Sequence, residues 1–283
     1  MSRHLCSLAL LVSAASCLAQ TPAAQPPKPL LHEKDWTLSP VERKLIDSFN
    51  LPPSPPLTPE EQLRTFKLAP GFRAELVAAD PMIGEPVTMA FDERGRIWVV
   101  EMRGYMQNLD GLNEDTPNGR VVILEDTNGD GRMDKETVFL DKLVMPRAIM
   151  LRKGGAVIAE PPALYWCPDA NRDDKADEKI VIHPGYTGPG DPEHKPNGLL
   201  PALDNWIYNA KSSERFRFNQ AGEFIKEATA FRGQWGITQD DWGRIYYNTN
   251  SDQLRGDLLP SEYLARNSHF RGAEGVNAII AAD

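Results

Sequence analysis

The stretch Met89-Ala90-Phe91-Asp92-Glu93-Arg94-Gly95-Arg96-Ile97-Trp98-Val99-Val100-Glu101-Met102 decides the fold. A short apolar segment, Met89 to Phe91, meets a polar turn, and a second apolar segment follows from Ile97 to Val100. Gly95 supplies the positive φ that such turns need, and the Asp92 carboxylate can accept from backbone amides two residues on. The pattern predicts a β-hairpin. Its return strand is apolar at consecutive positions instead of alternating, so both faces must be covered.

The unit recurs along the chain. Ile149 to Leu151 precede the turn Arg152 to Gly155 and the strand Ala156 to Glu160. Leu200 to Leu203 precede Asp204-Asn205 and Trp206 to Tyr208, and Gly236 to Thr238 precede Gln239 to Arg244 and Ile245 to Tyr247. The return strands lie roughly 40 to 60 residues apart, the spacing of four-stranded propeller blades with insertions. Neighbouring blades cover both faces of an inner strand, which accounts for the unbroken apolar runs. The expected class is all-β: a β-propeller of about four blades, incomplete as a ring, behind a short helical amino-terminal extension. A β-sandwich of similar hairpins is the competing architecture. Outer strands are expected at Val121 to Leu124 and Leu164 to Trp166. Each leads into an acidic loop, Asp126 to Asp134 and Asp169 to Asp177, one blade period apart. The chain ends soon after Gly275-Val276-Asn277, and a fragment of a longer protein is expected.

Residues 1–19 read as a secretory signal, with Arg3, an apolar core from Leu5 to Val12, and Cys17-Leu18-Ala19 as a small-x-small cleavage site. Lipidation at Cys17 is the alternative and would bring membrane association. The expected location is the periplasm or cell surface. Residues 20–66 form a Pro-rich tether with two short helices, opened by the capping boxes Ser39-Pro40-Val41-Glu42 and Thr58-Pro59-Glu60-Glu61. Residues 67–283 are assigned to the partial propeller, and Phe72, Ala74, Leu76 and Ala78 alternate as an edge strand leading into it. A net charge of −9 argues against a nucleic-acid partner, since phosphate binding needs clustered cations. With Cys6 and Cys17 in the leader, Cys167 stands alone and no internal disulfide framework is possible. Beside Trp166 on an apolar strand, it reads as a packing residue.

Three sets of residues can carry chemistry. Asp126, Asn128, Asp130 and Asp134 stand at positions 1, 3, 5 and 9 of their loop, with Gly131 at 6, as in calcium loops, although Thr137 occupies position 12. A tight turn whose carboxylates cap backbone amides is the alternative. His194 lies in a Gly/Pro-rich loop, residues 183–201, just ahead of an inner strand. A neutral imidazole there could accept a proton from a substrate hydroxyl, and a merely solvated histidine is the plainer reading. Arg103, Arg147, Lys211 and Arg232 sit at inner-strand ends or beside them. Taken singly each is an ordinary surface or ion-pair cation. Converging on one mouth, they would suit an anionic ligand or polarise a carbonyl. Glu101 and Glu160 occupy equivalent blade positions and suit loop capping around the channel.

Two sets of motifs go further. Pro59 to Phe66, Pro70-Gly71-Phe72, Glu75 to Ala78 and Phe91 to Tyr105, with Asp126 to Asp134, Val138 to Asp141 and Met145-Pro146-Arg147, resemble one known propeller. It is the amino-terminal propeller of planctomycete and verrucomicrobial "membrane-bound dehydrogenase domain" proteins, which typically continue into helical repeats and a cytochrome c-like domain. More distantly, His194-Lys195-Pro196-Asn197-Gly198-Leu199-Leu200 with Leu203 to Tyr208 is similar to the histidine-bearing blade of soluble quinoprotein glucose/sorbosone dehydrogenases. Arg232-Gly233-Gln234-Trp235-Gly236 is similar to their arginine-bearing blade entry. The resemblance implies pyrroloquinoline quinone as cofactor, His194 as catalytic base and Arg232 beside the quinone; the strand-end cations Arg103, Arg147 and Lys211 are then the candidate cofactor-binding residues by their position. The implied function is an exported quinoprotein-like dehydrogenase that oxidises a sugar or related alcohol and passes electrons to a cytochrome c domain. The competing class is a non-catalytic propeller that binds carbohydrate or protein on its loop face.

Overall fold

The hairpin forms as its residues dictate. Strands β1 (Pro86–Phe91) and β2 (Ile97–Glu101) pair antiparallel, with Phe91 opposite Ile97. The Gly95 amide donates to the Asp92 carbonyl at 3.0 Å, and Gly95 takes φ of 78°. Asp92 Oδ1 accepts from the amides of Arg94 and Arg96 at 2.9 and 3.0 Å. Every residue of β2 is buried, the two-sided cover that its apolar run requires.

The computed structural model describes residues 39–48, 55–108, 111–267, 269 and 274–281. The expected signal, Cys17 and most of the tether lie outside these residues. Four antiparallel sheets of four strands follow one another along the chain, each ordered sequentially. The first adds β3 (Gly119–Glu125) and β4 (Lys135–Leu143) to the hairpin. The second comprises β5 (Ala148–Arg152), β6 (Gly155–Glu160), β7 (Ala163–Pro168) and β8 (Ile180–His183). The third runs through β9 (Asn197–Pro201), β10 (Ile207–Ala210), β11 (Ser212–Phe218) and β12 (Phe224–Arg232). The fourth has β13 (Ile237–Gln239), β14 (Ile245–Tyr247), β15 (Leu254–Asp257) and β16 (Ala278–Ala281). The first strands pack in series, β1 on β5, β5 on β9 and β9 on β13. The described residues thus form four blades of a β-propeller, with their inner strands side by side around one concave face.

The cores lie between blades. Trp98, Val100, Val121 and Phe139 of the first meet Ile149, Ile158, Tyr165 and Cys167 of the second, and Trp98 stacks edge-on against Phe139 at 4.6 Å. Val157 and Leu164 then meet Leu199, Ile207 and Phe216, and Trp206 and Tyr208 meet Ile245 and Tyr247. Burial pushes the Cys167 thiol up to about 12, so it stays protonated and packs as an apolar group.

Helices α1 (Pro40–Asp47) and α2 (Pro59–Thr65) stand where the capping boxes predict, and the Glu61 amide donates to Thr58 Oγ1 at 3.2 Å. The edge strand expected at 72–78 does not form. Ala74, Leu76 and Ala78 are half-buried with Arg73, Glu75 and Val77 exposed between them, while Phe72 is exposed and Ala79 half-buried, so the alternation runs only from 73 to 78 and without a ladder. The cause is what this segment covers. Ala78, Met82 and Ile83 lie over Ile97, Val99, Val122 and Leu124, the outer face of the first blade, and Val77 accepts one backbone bond from Met133 at 2.9 Å. An apolar blade face gains more from a lid than its edge gains from another strand.

Candidate functional site

All four inner strands contribute to one groove of about 390 Å³, bordered by Met89, Arg147, Ile149, Asn197, Leu199, Trp235 and Ile237. Its polar end is assembled from the starts of neighbouring inner strands. Arg147 enters β5, and its amide donates to the Ala159 carbonyl at 3.0 Å. Asn197 opens β9 and donates through Nδ2 to the Gln234 carbonyl at 2.7 Å, which ties the entries of the third and fourth blades together. Gly198 follows at φ of 97°, where a Cβ would stand 2.6 Å from Ile237, so the two inner strands approach only because this residue is glycine.

Above the groove, Pro192–His194 forms one turn of 3-10 helix, capped by Asp191, whose carboxylate accepts from the Glu193 amide at 2.9 Å. Three side chains pin this turn. Arg147 Nη1 donates to the Pro192 carbonyl, Trp235 Nε1 to the Glu193 carbonyl at 3.2 Å, and Tyr105 Oη to Glu193 Oε1 at 2.7 Å. His194 stands half-exposed on the turn, with Nδ1 3.9 Å from Asp191 Oδ2, too far for a hydrogen bond. Asp191, Glu193 and His194 are the only set of three metal-capable side chains among the described residues whose ligand atoms converge, and all three are exposed.

Arg147 is 1% exposed, and its Nε and Nη2 have no hydrogen-bond partner. Burial lowers the guanidinium to about 10, which leaves it charged at neutral pH. Lys195, also buried, donates to the Gly188 carbonyl at 2.6 Å. Burial first, and the like charge of Arg147 second, hold its pKa below that of a free lysine. Among the described residues no carboxylate oxygen lies within ion-pair distance of either cation.

The other cations selected from the sequence do not share this state. Arg232 does not line the groove. It donates from Nε to Asp257 at 2.7 Å, from Nη1 to Thr229 at 2.7 Å and Ala230 at 2.9 Å, and from Nη2 to Ser261 at 3.1 Å and Glu262 at 3.4 Å. It thereby clamps β12 to β15 and to a short helix, α3 (Ser261–Ala265). Arg103 Nε binds Glu101 at 2.8 Å, and Lys211 Nζ lies 5.9 Å from the Phe231 ring centre. Glu101 also accepts the Gly84 amide at 3.0 Å and Glu160 the Val144 amide at 2.8 Å, so both carboxylates cap the loop entering the inner strand of their own blade. Of the residues selected as catalytic or cofactor-binding, Arg147 borders the groove and His194 stands on the turn it pins. Asn197 and Trp235 border the groove with Arg147, and Lys195 lies near enough for its charge to act on Arg147. The sequence signal for them was their place in the two motifs containing His194 and Arg232.

The expected quinone can be tested against these donors. Pyrroloquinoline quinone is a tricarboxylate, and of Arg103, Arg147, Lys211 and Arg232 only Arg147 borders the groove, with its unpartnered nitrogens buried behind the wall. The residues present do not fit that group.

The acidic loop of the first blade is closed on itself. Asp126 accepts the amides of Gly129 and Gly131 at 2.7 and 2.8 Å, Asn128 that of Asp130 at 2.9 Å, Asp130 that of Arg132 at 2.8 Å, and Asp134 that of Thr127 at 3.1 Å. The Gly131 amide leads the bonds that hold the Asp126 carboxyl below its usual range. The loop Asp169 to Asp177 repeats the pattern, and there Asp174 reaches across the blade seam to Arg96 Nη1 at 2.7 Å.

Residues 58–282 match the family described as "Domain of unknown function (DUF7133)". No curated protein matches at comparable stringency. Among solved structures, a gluconolactonase from Xanthomonas campestris is 14% identical, with a TM-score of 0.39 over 57% of this chain and 52% of that one. A calcium-binding protein, regucalcin, from Agrobacterium tumefaciens is 14% identical, with a TM-score of 0.36 over 68% and 59%. Virginiamycin B lyase from Staphylococcus aureus, in a catalytically inactive form with quinupristin, is 13% identical, with a TM-score of 0.36 over 63% and 54%. The chain thus spans little more than half the length of these structures.

Proposed function

The chain belongs to the DUF7133 family, and from that premise we propose that its propeller binds a small molecule, a sugar or related hydroxylated compound, in the groove of its inner strands. One observation carries the reading: all four blades contribute to a concavity of about 390 Å³ in which apolar side chains such as Met89, Ile149, Leu199 and Ile237 stand beside the polar groups of Arg147 and Asn197. That is the usual make-up of a small-molecule site. The Trp235 ring offers a flat apolar surface to the C–H face of a sugar, while Asn197 and Arg147 meet its oxygens. Residues 1–19 have the organisation of an export signal, so binding takes place outside the cytoplasm in this reading.

Oxidation of the bound alcohol is a second reading, favoured by the three-sided pinning of the Pro192–His194 turn. That pinning holds His194 beside the groove, where the imidazole can take a hydroxyl proton. An electron acceptor and a cytochrome-type partner would then be supplied by other groups.

Titration calorimetry with a panel of sugars, sugar alcohols and sugar acids tests the proposal. Trp235→Ala should weaken the binding that is found by about tenfold or more, as loss of an aromatic platform does. Absence of binding across the panel by the wild-type protein rejects the sugar reading. Binding without dye reduction in the presence of added acceptors rejects the oxidation reading alone.

A further inference from the structure

We propose that the ligand is an organic anion and that Arg147 receives its carboxylate through two parallel hydrogen bonds, with Lys195 as the second positive charge. The inference rests on the groove being the binding site and names the chemical class that the site selects.

The charge inventory of the buried arginines singles out one of them. Arg96, Arg147, Arg215 and Arg232 are all buried. Arg96 has Asp92 at 2.8 Å, Arg215 has Glu227 at 3.0 Å and Arg232 has Asp257 at 2.7 Å. Among the described residues Arg147 has no carboxylate in ion-pair contact, only the longer-range charge of the exposed Asp191, and a single acceptor, the Pro192 carbonyl. A buried charge without a counter-charge in contact is among the costliest arrangements in a folded protein. Here a second buried cation, Lys195, adds to the field instead of cancelling it. An anion held by Arg147 within the field of Lys195 relieves both.

The unpartnered atoms also define the shape of the ligand's acceptor. Nη1 is spent on the Pro192 carbonyl, and the open pair is Nε and Nη2. Those two N–H bonds lie on one edge of the guanidinium and run nearly parallel, the fork that matches the two oxygens of a carboxylate. One open fork and one lysine suit a singly charged head group. The apolar walls at Leu199, Ile237 and Trp235 suit a carbon skeleton behind it. Sugar acids and related hydroxy acids combine the two. Both fork nitrogens are closed to bulk solvent, so the carboxylate arrives only with a small movement of the groove wall or of the Pro192–His194 turn. Association should accordingly fall below the usual diffusive range.

The test is calorimetry and thermal melting of the full chain at fixed ionic strength, with gluconate, glucuronate, acetate, glucose and inorganic phosphate as probes. The expected result is that the two sugar acids bind at least about tenfold more tightly than glucose. Arg147→Met should remove that preference, and Arg147→Lys, which keeps the charge but not the fork, should restore only part of it. Should Arg147→Met fail to fold, Arg147→Lys and Lys195→Met carry the test, each weakening the acids more than it weakens glucose and so narrowing the preference. Equal binding of glucose and the acids, unchanged in these variants, overturns the inference and leaves the groove reading standing. Acetate binding that needs Arg147, without binding of any sugar compound, supports the anion site and removes the sugar reading. Tighter binding of phosphate than of any carboxylate overturns the carboxylate assignment. No binding of any probe overturns both.

Discussion

Arg147 and Arg232 are both strand-end arginines, both about 1% exposed, and they stand in opposite electrostatic states. Arg232 spends every nitrogen on the protein and has two carboxylates, Asp257 and Glu262, beside it. Arg147 spends one nitrogen on a carbonyl and keeps two unpartnered. A buried cation whose donors are all satisfied by its own chain has its explanation inside the fold. One that is left open at a groove points outside the fold, to a ligand. Burial alone does not separate a structural arginine from a binding one; the list of acceptors does.

The largest effect that sharpens the contrast is on Arg232. Arg232→Met strands Asp257 and Glu262 in a buried site and should cost about 3–5 kcal/mol in urea unfolding, the scale for breaking one side of a buried ion pair. Arg147→Met removes an unpartnered buried charge instead, and should leave stability within about 1 kcal/mol of wild type or raise it. Equal losses in the two variants would break the comparison.

A smaller effect concerns pH. Asp174 is held below its usual range chiefly by its bond to Arg96. Asp92 is also lowered: burial pushes it upward, but the bonds from Trp98 and Arg96 prevail. A carboxylate with a depressed folded-state pKa contributes stability that is present above its unfolded value, near about 3.9, and is lost as pH falls through the folded value. Urea unfolding from pH 7 down to pH 3 should therefore show the seam between the first two blades weakening below about pH 4, and Arg96→Met should flatten that fall. Arg147 has no carboxylate in ion-pair contact, only Asp191 at longer range, so Arg147→Met should change the acid slope much less than Arg96→Met.

The smallest expected effect is that of calcium. The carboxylates of the loop Asp126 to Asp134 already accept their own amides, so melting temperature should not move between calcium and chelator. A rise with calcium that Asp130→Ala abolishes would establish the metal-loop reading, since a ligand of the folded state alone must stabilise it.

The blade repeat was legible because each inner hairpin carries its signals locally. Asp92 and Gly95 close the turn around them, and the apolar run of β2 announces cover on both faces. Local pattern misled at 72–78, where alternation reported one buried side without saying that a blade face, not a neighbouring strand, buries it. The strand-end cations could be placed on their strands and no further. Nothing around Arg232 in sequence tells that Asp257, 25 residues on, will reach it, and nothing around Arg147 tells that no carboxylate will. Lys195 reads as a loop lysine beside His194. Its burial, and its bond to the Gly188 carbonyl seven residues back, are products of tertiary packing.

Equilibrium urea unfolding of wild type and Arg147→Met, each with and without glucuronate, tests the central claim most directly. If Arg147 is the open half of an ion pair, the acid should stabilise wild type by about 2.7 kcal/mol at a hundredfold excess over its dissociation constant, and leave Arg147→Met where it stood. Stabilisation of both proteins to the same extent, or of neither, would contradict the account.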